Sequence, residues 1–404
     1  MYERSEVLSD ITRARALSVA VAWVAFFMTS LVRENWVVLL PFARIDLSLT
    51  GTEAGLFMTA FFVSYVVMQL PGGFLADRYS PNRILGLAQI SMGAITMLLG
   101  WVNSIGQGLL LRFLAGIAAG LIFGPGLRAT IGWGEQKNIG SLLGFYMAAP
   151  SVCLAIMGVV FPPFVVQYGW RYVFILTGVA ATLAGVVCVC VPDNARNEGG
   201  RSAAGMRGIL RTFWDMLRNR KLLSACLGGT LGALAAWGVA VWLLDYLLAY
   251  RHLGTTYAGM IFASFSIASI TGRPLGGRLS DITGRRRLTV SLGLFIFFVA
   301  SMATTVVNDL ISLAVISSVL GIMSGFWISP FYVMIVQLGD PNNAGATSSL
   351  VNTLTRIGVA AAPVAFGYVL DQTGSYDYAM LTMSFAAVLA IPLLAPIRER
   401  HPAR

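Results

Sequence analysis

Gly276-Gly277-Arg278-Leu279-Ser280-Asp281-Ile282-Thr283-Gly284-Arg285-Arg286-Arg287 is a short polar turn between two long apolar runs. A weaker copy lies 204 positions earlier (276 against 72): Gly72-Gly73-Phe74-Leu75-Ala76-Asp77-Arg78-Tyr79-Ser80-Pro81-Asn82-Arg83. That spacing is about half of the 404 residues and divides the chain into two similar halves. In each copy the glycines let two helices approach closely and turn. The aspartate suits a helix start or a basic partner.

Working outward, the flanking runs are too apolar for a water-soluble core. Hydrophobic residues make up 57% of the chain, charged residues 11%, and the mean hydropathy is +0.75. A soluble domain carries roughly 25% charged residues. Runs of about 20 apolar residues span a bilayer. The spacing predicts twelve: 16–42, 54–75, 84–103, 107–130, 140–166, 171–191, 222–250, 256–279, 288–307, 310–337, 345–370 and 376–396.

The net charge of +10 is distributed in one direction. Arg13, Arg15, Arg78, Arg83, Lys137, the basic residues between Arg196 and Lys221, Arg278, Arg285 to Arg287 and the tail from Arg398 fall on one side. The opposite loops carry Arg44, Arg171 and Arg251. The positive-inside rule then places both termini in the cytoplasm and the chain in the inner membrane, with no nucleic-acid role. The N-terminus is polar through Arg15 and the next apolar run exceeds a signal h-region, so no cleaved leader is expected.

The longest break, 192–221, reads as a cytoplasmic linker between halves 1–191 and 222–404. Within it Ile209, Leu210, Phe213, Trp214 and Leu217 recur at helical spacing among arginines, which suits an anionic leaflet. Tyr168-Gly169-Trp170-Arg171-Tyr172 and Gln372-Thr373-Gly374-Ser375-Tyr376 are outer turns at matching places in the halves.

No enzyme signature is present. His252 and His401 lack metal-ligand spacing, and there is no phosphate-binding glycine loop. Cys153, Cys188, Cys190 and Cys226 sit in apolar runs and form no disulfide or metal framework. No cofactor is implied, and energy comes from a gradient.

Charges inside the spans cost about 2.5–3.5 kcal/mol each at a helix centre, which marks Arg33, Glu34, Arg112, Arg273 and Arg356. Arg33 and Glu34 lie some eighteen residues past the basic flank, about 27 Å along a helix. Glu34 is the carboxylate expected well inside a span; Asp245 is read as near an outer end. Arg112 precedes Gly116 and Gly120, glycines at four-residue intervals that suit tight helix packing. Arg356 sits near a span centre, one turn past Asn352.

The two loops resemble the Gly-x-Leu-x-Asp-x-x-Gly-Arg-Arg signature of the major facilitator superfamily. The resemblance implies an all-α membrane fold of two pseudo-symmetric six-helix bundles that rock around a midplane site. It makes Gly73, Asp77, Arg83, Gly277, Asp281, Gly284 and Arg285 cytoplasmic gating residues. The first copy departs, with Ser80 for the inner glycine and Pro81-Asn82 for basic residues. Arg33-Glu34-Asn35 followed by an apolar run to Pro41 is similar to helix 1 of the anion–cation symporter branch, although Val32 stands where an aspartate is usual. Arg112 resembles the helix 4 arginine linked to proton coupling. Arg273 in Thr271-Gly272-Arg273-Pro274 resembles the carboxylate-binding arginine of monocarboxylate and oxalate–formate transporters.

The resemblance thus implies a monomeric, proton-coupled transporter of a small organic anion, with a carboxylate the leading class. Arg33, Asn35, Arg273, Asn352, Arg356, Tyr65 and Trp237 would bind substrate, and Glu34 and Arg112 would couple protons. Tyr146 and Tyr332 are further candidates for a cavity wall. The alternative is an exporter of drugs or amphipathic metabolites. Met147-Ala148-Ala149-Pro150-Ser151 counts against it, because it replaces the Gly-Pro-x-x-Gly-Gly element usual in drug–proton antiporters.

Overall fold

A computed structural model describes residues 2–131, 139–191, 219–338 and 344–397. Among them there are helices and no strands. The helices are α1 (Tyr2–Asp46), α2 (Gly51–Arg78), α3 (Pro81–Leu98), α4 (Ile105–Ile131), α5 (Ile139–Tyr168) and α6 (Trp170–Cys190) in the first half. The second half contributes α7 (Arg220–Asp245), α8 (Thr255–Thr283), α9 (Arg286–Val306), α10 (Leu310–Phe326), α11 (Ile328–Leu338), α12 (Ala344–Thr373) and α13 (Tyr376–Leu394). A π-helical turn, Tyr246–Tyr250, prolongs α7.

Among the described residues, ten segments are long and apolar enough to cross a membrane, and α10 with α11 forms one of them, Leu310–Ile335. α5 contributes a shorter apolar stretch, Val152–Tyr168, and α8 carries Arg273, Arg278 and Asp281. Both still have the length of a crossing, 30 and 29 residues, so the expected twelve crossings are present. The expected run boundaries agree with the helix ends to within a few residues, except that α1 starts at Tyr2, fourteen residues before the expected 16. Most of the linker, 192–218, including the amphipathic segment, lies outside the described residues.

The two copies of the repeated loop close by different chemistry. In the second, α8 ends at Thr283 and Gly284 takes the left-handed conformation (φ 64°) that only glycine adopts cheaply. In the first, α3 starts instead with an N-cap: Ser80 accepts the Arg83 backbone N–H, and Pro81 fills the first helical turn, where a missing N–H costs nothing. The departure from the repeat at Ser80-Pro81 is therefore a substitution of one helix terminus for another. Arg83 and Arg285 are exposed. Arg286 lies 3.7 Å from Asp281, and Arg287 donates to the carbonyls of Ala395 and Ile397 just past the end of α13. The side chains of Gly73 and Asp77 are outside the described ones.

Of the two adjacent glycines, Gly276 is the one on which close approach depends. A Cβ on Gly276 would run into the Phe326 carbonyl of α10, whereas one on Gly277 would sit 3.5 Å from Ser329 Cβ. Gly169 (φ 86°) and Gly374 (φ 66°) occupy the two matching turns, which accounts for a glycine at each place.

The chain forms two compact units. The first comprises Met1–Trp36, Ala60–Leu154 and Phe164–Ser202. In it Gly116 and Gly120 bring α4 against α2, where an added Cβ would meet the Phe61 and Tyr65 carbonyls. The expected packing role of those glycines is thus visible. The second unit comprises Val37–Thr59, Ala155–Pro163 and Ala203–Arg404. In it α10 packs on α8, and α12 and α13 pack on α7.

Candidate functional site

In the first unit, α1 places three polar residues in succession: Arg33, Glu34 and Asn35. All three are buried, with Arg33 6% and Glu34 3% exposed. Arg33 Nε donates to Glu34 Oε1 at 2.7 Å. The Arg33 guanidinium lies 6.0 Å from the centre of the Tyr65 ring on α2.

Arg112 reaches this layer from α4. It donates to the carbonyls of Val32 (3.1 Å) and Arg33 (3.2 Å) and to Asn35 Oδ1 (3.4 Å), and its guanidinium covers the Phe61 ring at 4.8 Å. A fully buried guanidinium needs its donors occupied. Here α1 backbone oxygens do much of that, so Arg112 ties α4 to α1 at the residues that hold Arg33.

The cluster is nonetheless incomplete. Glu34 Oε2 and Asn35 Nδ2 are buried without a hydrogen-bond partner among the described residues, as are Gln89 Nε2 and the Tyr146 hydroxyl. Gln89 accepts from Thr29, one turn before Arg33. Tyr146 stacks on Phe26 at 4.5 Å, with its hydroxyl against Gly126 of α4. Buried polar atoms are paired in the large majority of cases, and each orphan costs about 1–3 kcal/mol. Glu34 Oε2 and Asn35 Nδ2, next to Arg33 on α1, mark a place that can receive polar groups from a ligand.

The second unit holds the other candidates. Asn352 on α12 accepts a hydrogen bond from Tyr332 of α11 at 2.9 Å. Arg356, one turn on, is half-buried and has no hydrogen-bond or ion-pair partner among the described residues. Trp237 is half-buried on α7. Arg273 is exposed on α8, with its aliphatic stem against Gly325 of α10. No metal-ligating cluster occurs among the described residues.

The sequence reading passed over one polar centre. Asp245, at the end of α7, is buried; its Oδ2 accepts from Arg44 (3.0 Å) and from the Tyr376 hydroxyl (2.6 Å). Arg44 also donates to the Tyr376 oxygen at 2.7 Å. Asp371, near the end of α12, accepts from the Gly51 and Thr52 backbone N–H groups (2.6 and 2.7 Å) and from the Thr52 hydroxyl (2.6 Å). The apolar company of Asp245, in Trp242-Leu243-Leu244-Asp245-Tyr246, was the available signal.

A twelve-span helical protein with a doubled polar loop and a buried arginine cluster matches one family model over residues 22–254 and 225–404. The chain belongs to the Major Facilitator Superfamily. This transporter is 27% identical to a probable sulfoacetate transporter of Cupriavidus necator, over 95% of its own length and 94% of the relative's. It is 23% identical to a probable galactarate/D-glucarate transporter of Bacillus subtilis, over 88% and 86%. Among solved structures it shares its fold with a bacterial homolog of the human lysosomal transporter Spinster. That match has a TM-score of 0.82 at 16% identity and covers 96% of this chain and 99% of the other.

Proposed function

We propose that the protein is a proton-coupled secondary transporter of a small organic anion, with a carboxylate the leading class, working by alternating access. One observation carries the reading: Arg33 is buried and shares a layer with Glu34 Oε2 and Asn35 Nδ2, which have no hydrogen-bond partner among the described residues. A guanidinium fork matches a carboxylate through two parallel, charge-assisted hydrogen bonds. Asn35 Nδ2 adds a donor that an anion can occupy. The names of the relatives, a sulfoacetate and a galactarate/D-glucarate transporter, support the same chemical class.

Coupling follows from the pairing of Glu34 with Arg33. An anion arriving at Arg33 takes over part of the positive charge that compensates Glu34. Glu34 then accepts a proton, so anion and proton enter together. Arg112 stays in place, because its α1 partners include backbone carbonyls that move with Arg33. On this reading the rocking bodies are the halves 1–191 and 222–404, both termini are cytoplasmic, and Arg356 with Asn352 supplies the second half's contact to the substrate. Asp77 and Asp281 then both face the cytoplasm, and cysteines at Pro81 and Thr283 should resist impermeant reagents applied to intact cells.

The decisive test is Glu34→Gln, which mimics the protonated acid. In proteoliposomes the variant should still exchange labelled organic anion but fail to concentrate it under a pH gradient. Accumulation with wild-type pH dependence would remove Glu34 from coupling.

A further inference from the structure

We propose that Asp245 is a second proton-binding site, and that the Arg44–Asp245–Tyr376 triad is a pH-sensitive latch on the outer face of the transporter. The inference rests on the alternating-access reading above and adds to it a control of when the outer side opens.

The triad is a closed ring of hydrogen bonds: Arg44 to Asp245, Arg44 to Tyr376, and Tyr376 to Asp245. Its members come from the end of α1, the end of α7 and the start of α13. Asp245 and Tyr376 therefore belong to the second half of the chain, and the cation alone belongs to the first. A second seam runs beside it, where Asp371 caps the first turn of α2. The two seams differ in what happens when they part. Asp371 is exposed and is simply hydrated. Asp245 is buried, and without Arg44 it retains the Tyr376 hydroxyl. A buried carboxylate that loses its cation is strongly disfavoured as an anion.

The surrounding charges offer little replacement. Arg251 is engaged by the Tyr246 hydroxyl, the Thr304 and Val307 carbonyls and Asn308. Asp377 accepts from Tyr250. Tyr246 packs its ring 6.2 Å from that of Tyr376, and Trp242 lies under Arg44 with its indole N–H on the Pro363 carbonyl. Asp371 and the exposed Asp46 at the end of α1 add negative charge.

When the outer ends separate, Arg44 passes into water and Asp245 takes one proton from the outer solution. When they close, that proton returns to the same solution and the ion pair re-forms. No net proton crosses, so this site is distinct from the coupling proton assigned to Glu34. Acidic external pH therefore favours the outward-open form.

Spin labels at Ile45 and Tyr257 test the latch. Both positions are exposed, and they lie at the ends of α1 and α8. The full chain, with its four native cysteines replaced, is placed in lipid nanodiscs without substrate. The inter-label distance distribution is then recorded at pH 8 and pH 5. In otherwise wild-type protein the ratio of long to short distances should rise about tenfold on acidification. Asp245→Asn, unable to ionise, should show the long distance at both pH values. Arg44→Gln keeps the carboxylate and should show it already at pH 8, and this variant carries the test if Asp245→Asn does not fold. A pH-independent wild type, or an unchanged pH response in the variant that folds, overturns the proposal. Because no substrate is present, failure here leaves the organic-anion reading to stand or fall on uptake assays.

Discussion

Among the described residues of this transporter two buried carboxylates are paired with arginine, and the pairs are built in opposite ways. Glu34 is joined to its own neighbour in the chain, on one helix, and keeps one oxygen without a partner among the described residues. Asp245 is joined to a residue 201 positions away, across three helices, in a ring whose members satisfy one another. A pair between adjacent residues survives any movement of helices, because both charges ride on α1. A pair between helices exists only in the conformations that bring those helices together. The first is therefore suited to sense a ligand, and the second to hold a conformation.

The largest effect should come from Arg33→Ala. It leaves Glu34 buried without its cation, and removing one partner of a buried pair costs about 3–5 kcal/mol. Anion uptake should vanish and the melting temperature of the purified protein should fall. Arg33→Lys should recover more stability than transport, since an ammonium lacks the planar fork. Normal uptake by Arg33→Ala would end the contrast drawn here.

Next comes the cycle Arg44→Ala, Asp245→Ala and the double variant, followed by denaturation in detergent. The pair should show a coupling of about 1–3 kcal/mol. Additive effects would mean that the Asp245 ring contributes nothing as a unit. Asp371→Asn should cost less, about 1 kcal/mol, by weakening the charge at the start of α2 while leaving a side-chain oxygen to accept.

The smallest stability change should come from Asp281→Asn. Its side chain is 69% exposed and 3.7 Å from Arg286, so solvent screens the pair and the loss should stay within about 0.5 kcal/mol. Turnover should nonetheless slow if the loop gates the cytoplasmic side, with equilibrium binding within a few-fold. Unchanged turnover would reduce the loop to a topological signal.

The number of crossings, their boundaries and the doubling were legible from the amino-acid sequence, because they depend on local quantities. Apolar run length, the breaks at Gly284 and Ser80-Pro81, and the side carrying the arginines are each decided within a few residues. Arg33, Glu34 and Arg112 were also legible as candidates, since a charge in an apolar run is conspicuous wherever the run folds. Their geometry was not. That Arg112 grips α1 carbonyls, and that Gly276 rather than Gly277 meets Phe326, depends on which helix faces which. Above all, Asp245 looked like a residue at a helix end. Only the tertiary structure brought Arg44 and Tyr376 to it, because a contact between residues 201 apart follows from packing and leaves no spacing in the chain to read.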